Sequence, residues 1–104
     1  MNTLVRGTTP LIIYTFETVS PSDLSSAYLI LKQNGEEKIR KSLENCTLGN
    51  MTLTWTLTQE ETLSLVAGAS CLICLDWVKE DGTRGVGKTT QVSVSSSAIN
   101  EVIV

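Results

Sequence analysis

The segment Met51 to Thr58 alternates without a break. Leu53, Trp55 and Leu57 point one way, and Thr52, Thr54, Thr56 and Thr58 point the other. A period of two places successive side chains on opposite faces of an extended chain, so this segment is a strand with one face in a core. Threonine on the second face suits it, because β-branched side chains pack well on a pleated surface. The same pattern recurs. From Leu11 to Glu17, Ile12, Tyr14 and Phe16 share a face, with Thr15 on the other. From Ala27 to Gln33, Ala27, Leu29 and Leu31 alternate against Tyr28, Ile30 and Lys32. Ser70 to Lys79 is a further strand, in which Ile73, Leu75 and Trp77 oppose Leu72, Cys74, Asp76 and Val78.

Turn chemistry sets the connections. Asn34-Gly35 predicts a hairpin returning into Glu37 to Ser42, and Asp81-Gly82 predicts a second, returning into Val86 to Val94. Thr18 to Asp23 reads as a loop, Asp23 to Ser26 as a helical turn, and Asn45 to Asn50 as a turn tipped by Gly49-Asn50. Thr58 followed by Glu61 is a capping box. It predicts a short helix from Gln59 to Leu65 that buries Leu63 and Val66, with Gly68 ending the turn. Ala98 to Val104 is expected to form a last helical turn. Strands spaced about 8–12 residues apart imply an all-β fold. We expect an immunoglobulin-like antiparallel β-sandwich of six or seven strands with one or two short helical turns. The cysteine pair bracketing a tryptophan, as in antibody domains, is absent, so only the architecture is expected.

All 104 residues fit one domain, 1–104. A net charge of −3 argues against nucleic-acid binding. No apolar run approaches the ~20 residues of a membrane span, and Met1 to Pro10 lacks the apolar core of a secretory signal. The chain has no histidine, which removes the commonest general base and metal ligand. No catalytic residue, cofactor or metal is expected, and the chain is read as a non-enzyme.

Three motifs resemble chemistry and have simpler explanations. Cys71 and Cys74 form a C-x-x-C, but in a strand residues three apart face opposite ways about 10 Å apart, beyond disulfide reach. With Cys46 they make three cysteines, too few for the usual zinc set without histidine. Free thiols fit synthesis in a reducing cytoplasm. Gly82 to Thr89 satisfies the phosphate-binding pattern G-x-x-x-x-G-K-[ST]. That motif must open a helix, whereas Thr89-Thr90-Gln91-Val92-Ser93-Val94 alternates and is β-branched. We therefore expect no nucleotide, and read the motif as a hairpin turn with a glycine-softened strand. The glycosylation sequons at Asn45 and Asn50 are chance matches in a threonine-rich chain, and the pairs Glu36-Glu37 and Glu60-Glu61 are solvated.

Asp76 lies inside an apolar strand. If its face is exposed, that face is an apolar patch with one charge, fit for a partner. If buried, Asp76 needs a hydrogen-bonded partner, with Arg84 or Lys88 across the hairpin as candidates. The candidate partner-contact surface is Leu72, Cys74, Asp76, Val78, Val86, Lys88 and Thr90. Val86 to Val94 is the candidate edge strand for pairing with a neighbour.

Arg6-Gly7-Thr8-Thr9-Pro10 before an alternating strand, Leu57 to Leu63 at a strand-to-helix junction, and Trp77 ahead of Asp81-Gly82-Thr83 resemble small phage and prophage proteins of Gram-positive bacteria. Over about residues 4 to 103 the chain is similar to the N-terminal domain of phage baseplate upper proteins. The resemblance implies a β-sandwich with a structural role in tail, baseplate or fibre, and no catalytic residues. Those proteins continue beyond this domain, whereas this sequence stops at Val104, which fits a small accessory or decoration subunit on tail or capsid. The expectation is a virion protein made in the bacterial host cytoplasm, contacting other phage structural proteins and forming a homo-oligomer. The alternatives are a module stacking host-surface glycan on Trp55, Trp77, Tyr14 and Tyr28, and a small inhibitor of a host defence protein.

Overall fold

In the computed structural model, which describes residues 3–103, the alternating segments form strands where their apolar parity can be buried. The strands are β1 (Thr3–Val5), β2 (Leu11–Thr15), β3 (Leu24–Gln33), β4 (Glu36–Ser42), β5 (Thr47–Gly49), β6 (Thr52–Thr56), β7 (Cys71–Lys79), β8 (Arg84–Val86) and β9 (Thr90–Ser95). One α-helix, α1 (Gln59–Leu63), and two 3₁₀ turns, Pro21–Asp23 and Leu43–Asn45, join them.

Two sheets result. The larger runs β1-β9-β7-β3-β4, with β8 also on β7, and the smaller runs β2-β6-β5. All pairings are antiparallel except β1 with β9. Taken as B, C, C′, D, E, F and G, strands β2, β3, β4, β5, β6, β7 and β9 reproduce the immunoglobulin order, with B-E-D facing G-F-C-C′. The protein is an all-β, immunoglobulin-like sandwich.

The core sits between the sheets and follows the alternation. Leu53, Trp55 and Leu57 are fully buried, and Ile12, Phe16, Ala27, Leu29, Leu31, Leu75 and Val92 join them. The Trp55 indole Nε1–H donates to the Ser42 carbonyl at 2.9 Å, so the largest core side chain leaves no polar atom unpaired. Its place is on β6, not on the C strand where antibody domains carry theirs. Asn34 and Gly35 take φ of 52° and 77°, the double left-handed turn that closes β3 onto β4.

Several expectations change. Strand β1 was not foreseen; three residues give too short an alternation to register, and pairing with β9 creates it. Strand β5 lies where only a turn was expected, recruited by the edge of β6. The helical turn expected over Asp23 to Ser26 lies two to three residues earlier, at Pro21–Asp23, where the fixed proline φ starts it, and residues 24–26 belong to β3. The capping box is present: Thr58 Oγ1 accepts from the Glu61 amide and Glu61 Oε1 accepts from the Thr58 amide. The helix ends at Leu63, and Thr62 and Leu65 are buried in place of Val66, which is exposed, while Leu63 is half-buried. No helix forms over residues 98–103, and Val104 lies outside the described residues. That segment is instead an irregular strap held by Gln59, whose side chain bonds both the amide and the carbonyl of Ile103.

Two buried polar side chains tie the loops to this frame. The Thr62 hydroxyl accepts from the Gly7 amide at 3.0 Å and donates to the Thr8 carbonyl at 2.8 Å, fixing the crossover from β1 to β2. Gln33 accepts from the Val66 amide and donates to the Val66 carbonyl, anchoring the loop after α1.

Candidate interaction surface

Strand β7 sits centrally in the large sheet and has two unlike faces. Cys71, Ile73, Leu75 and Trp77 point inward, and Leu72, Cys74, Asp76 and Val78 point outward, as the alternation requires. Cross-strand register extends the outer face. Asp76 stands opposite Tyr28 on one side and Val86 on the other, Cys74 opposite Ile30, and Val78 opposite Ser26 and Arg84. Arg40 adjoins Ile30 from β4. The outer face is therefore a strip of Ile30, Cys74 and Val78, partly covered, with Tyr28 and Leu72 exposed to about two-fifths and Val86 at 69%.

Charge on this face is paired. Arg84 Nη2 donates to Asp76 Oδ2 at 2.9 Å, so of the two partners proposed for Asp76 the structure selects Arg84. Lys88 does not reach it. Arg40 makes a two-pronged bond to Glu37, at 2.7 and 3.1 Å, and lies 5.5 Å from the Tyr28 ring centre. Its hydrogen bond to Arg40 holds the Glu37 carboxyl below the usual carboxylate range. Ser26, Tyr28, Ile30, Arg40, Asp76 and Arg84 line a shallow cleft of about 280 Å³. Tyrosine and arginine over an apolar floor are the side chains that dominate protein interfaces.

Not all of the expected surface residues share this face. Leu72, Cys74, Asp76, Val78 and Val86 do; Lys88 and Thr90 do not. Between the pairs Asp76–Val86 and Ile73–Thr90, β7 has Cys74 and Leu75, whereas the returning chain has Gly87, Lys88 and Thr89. That extra residue is a β-bulge, and it reverses the parity beyond it. Thr90, opposite Ile73, turns toward the sandwich interior, and Lys88 lies at the mouth between the sheets. Val86 to Val94 is thus not one edge strand: it is broken into β8 and β9, and β1 covers β9 at Ser93–Ser95.

The bulge also explains the phosphate-motif look-alike. Gly82 occupies the hairpin turn, with its amide on the Lys79 carbonyl. Trp77 lies flat over Gly85, whose Cβ would fall inside the indole. Gly87 bonds its amide to the Leu75 carbonyl at 2.7 Å, and a Cβ there would meet the Tyr14 ring at 2.6 Å. No helix follows, so the amides do not converge on a point where a phosphate could sit. The three cysteines are free. Burial, with Cys74 as a smaller contributor, pushes the Cys71 thiol up to about 11, the opposite of what redox or metal chemistry requires. Among the described residues no cluster of three metal-ligating side chains occurs.

Sequence reasoning named Tyr28 only as a glycan-stacking ring and left it out of the contact surface, and it missed Ile30 and Arg40. Tyr28 and Ile30 occupy the polar-parity positions of β3, and that misplaced apolar character was the available signal. Only the register of β3 on β7 and β4 shows that they join Asp76 and Arg84.

No family model matches this chain, and no curated protein matches it. Among solved structures, the V domain of amphioxus IgVJ-C2 overlaps 89% of this chain and 98% of that one, at 12% identity and a TM-score of 0.37. The sandwich assignment rests on strand order, not on this overlap.

Proposed function

We propose that the protein is a structural or accessory component of a bacteriophage particle, of tail, baseplate, fibre or capsid, that works through protein–protein contacts and not through catalysis. The observation that carries the contact reading is the outer face of the large sheet. There Tyr28, Arg40 and the Asp76–Arg84 pair surround a shallow cleft on an apolar strip. The phage reading is supported by the resemblance of Arg6 to Pro10, Leu57 to Leu63 and the Trp77–Thr83 hairpin to phage baseplate upper proteins. Localisation to the virion, after synthesis in the host cytoplasm, belongs to the same proposal, as does self-assembly into a homo-oligomer.

A glycan-stacking module is less well supported. Such a platform needs several exposed rings. Trp55 and Phe16 are buried, Tyr14 and Trp77 pack into the core, and Tyr28, the one exposed ring, lies beneath Arg40.

Two measurements test the proposal. Quantitative mass spectrometry of purified particles from a lysogen or lysate encoding the protein should detect it at a fixed ratio to the other virion proteins. Absence from particles in which other minor proteins are detected refutes the virion role. Light scattering and particle incorporation of a Tyr28→Ser, Arg40→Ser double variant test the surface. Incorporation equal to the parent, with the fold intact, removes the outer face from the contact.

A further inference from the structure

Strand β2 is the outermost strand of the small sheet, and its free side carries the inference. Its neighbour is β6; among the described residues no strand lies on its other side. In an immunoglobulin sandwich the four-stranded order A-B-E-D places a strand there. The hydrogen-bond phase shows which groups are open. The Leu57 amide bonds the Pro10 carbonyl and the Phe16 amide bonds the Met51 carbonyl, both across to the β6 side. In an antiparallel ladder such residues alternate, so Ile12 and Tyr14 also bond β6, while the amides and carbonyls of Leu11, Ile13 and Thr15 point outward. Among the described residues none of these outward groups has a partner.

The strand has none of the features that usually protect an edge. Leu-Ile-Ile-Tyr-Thr contains no charge and no proline, pairs with β6 in unbroken register, and exposes Leu11 to 53% and Ile13 to 61%. Beside it opens a groove of about 310 Å³ between the sheets, walled by Ile12 and Tyr14 and floored by Leu29, Ile73 and Leu75. Lys88 and Thr90 stand at its far lip, and Lys88 has no ion-pair partner among the described residues.

We infer that β2 and this groove accept an extended segment of another polypeptide as an added antiparallel or parallel strand. Alternate apolar side chains of that segment fill the groove, and an acidic side chain meets Lys88. The outward amides and carbonyls select an extended backbone, the groove lining selects alternating apolar residues, and the unpaired lysine selects the charge. A folded second copy is the wrong occupant. Tyr14 packs on the bulge beside β7, and β9 and β1 continue the large sheet beyond that point. A two-fold copy joined through β2 would bring its own overhanging strands into the same space, whereas a single strand fits above them. This surface is separate from the outer face of β7, so either can fail alone.

The test uses the full chain, labelled with ¹⁵N, and the peptide acetyl-Ser-Val-Thr-Val-Thr-Asp-Thr-amide, whose two valines and Asp share the face that enters the groove. We expect saturable binding with Kd below about 1 mM. Amide shifts should centre on Leu11, Ile13 and Thr15, whose exchange slows at least about tenfold at saturating peptide. Ile13→Pro removes an outward amide without touching the β6 ladder, so it keeps the thermal transition and weakens binding by about tenfold or more. Should that variant unfold, Lys88→Glu serves instead: it weakens the Asp peptide and is rescued when Lys replaces Asp in the peptide. Tyr28→Ser, on the other face, leaves binding unchanged. Absence of binding at several millimolar, shifts confined to the outer face, or binding indifferent to both Ile13→Pro and Lys88→Glu overturns the inference. So does dimerisation of the protein alone that Ile13→Pro abolishes, because the occupant is then a second copy.

Discussion

Gly85→Ala separates the structural reading of the Gly82–Thr89 segment from the nucleotide reading. Gly85 is a free position in the phosphate-binding pattern, so a nucleotide site has no need of it. The hairpin does, because a Cβ at Gly85 would fall within the Trp77 ring. Forcing an extra carbon into a packed contact costs about 1–3 kcal/mol. Displacing the indole also loosens its edge-to-face contact with Phe16, whose ring centre is 6.0 Å away, a contact worth about 0.5–1.5 kcal/mol. Together these give a loss of roughly 2–4 kcal/mol. At about 4–8 °C per kcal/mol for a domain of this size, Tm should fall by roughly 8–32 °C. Lys88 is exposed and has no ion-pair partner among the described residues, so Lys88→Ala should stay within about 0.5 kcal/mol of the parent. Thermal unfolding followed by near-ultraviolet circular dichroism, with and without magnesium and ATP, reads both. A Gly85→Ala protein melting within about 3 °C of the parent would refute the packing argument. An ATP-dependent rise in Tm that Lys88→Ala removes would restore the nucleotide site.

Trp55→Phe should cost about 2–4 kcal/mol in urea unfolding, because it leaves a cavity and strands the part-buried Ser42 carbonyl that Nε1 now satisfies; a loss under about 0.5 kcal/mol would show that the carbonyl finds another donor. Thr58→Ala should cost about 1 kcal/mol and speed exchange of the Thr62 and Ser64 amides, which bond back to residues 58 and 60; unchanged exchange there would mean that the capping bond does not hold the turn. The Cys71 thiol is raised in the folded state, so the stability it contributes is complete below its unfolded value of about 8.5 and is lost as pH rises through about 11. Parent stability should therefore drop between about pH 9 and 11 by up to about 2–3 kcal/mol more than that of Cys71→Val; parallel curves would refute the shift. In the native protein at pH 8, a thiol reagent should label Cys71 far more slowly than half-buried Cys74.

Much of this fold is legible in the residues themselves because its cause is local. Alternation at Leu53, Trp55 and Leu57, the Asn34-Gly35 and Asp81-Gly82 turns, and the Thr58–Glu61 capping box each act within a few residues, and each is present in the structure. The two faces of β7 follow from the same parity. Strands β1 and β5 did not, because three residues hold too little alternation and exist as strands only through the neighbour that pairs them. The single extra residue at Gly87–Thr89 was equally invisible: a bulge is a relation between two strands, and it moved Lys88 and Thr90 away from Val86. Register alone placed Tyr28 and Arg40 beside Asp76 and Arg84. Sheet order alone left β2 without a neighbour on one side. The sequence by itself determined which residues share a strand face, since alternation is a property of the strand, but it left open which face of β7 is buried and on which side Lys88 and Thr90 fall. Only the tertiary structure decided which outward residues meet and which edge stays open, since those depend on non-local pairing between segments far apart in the chain.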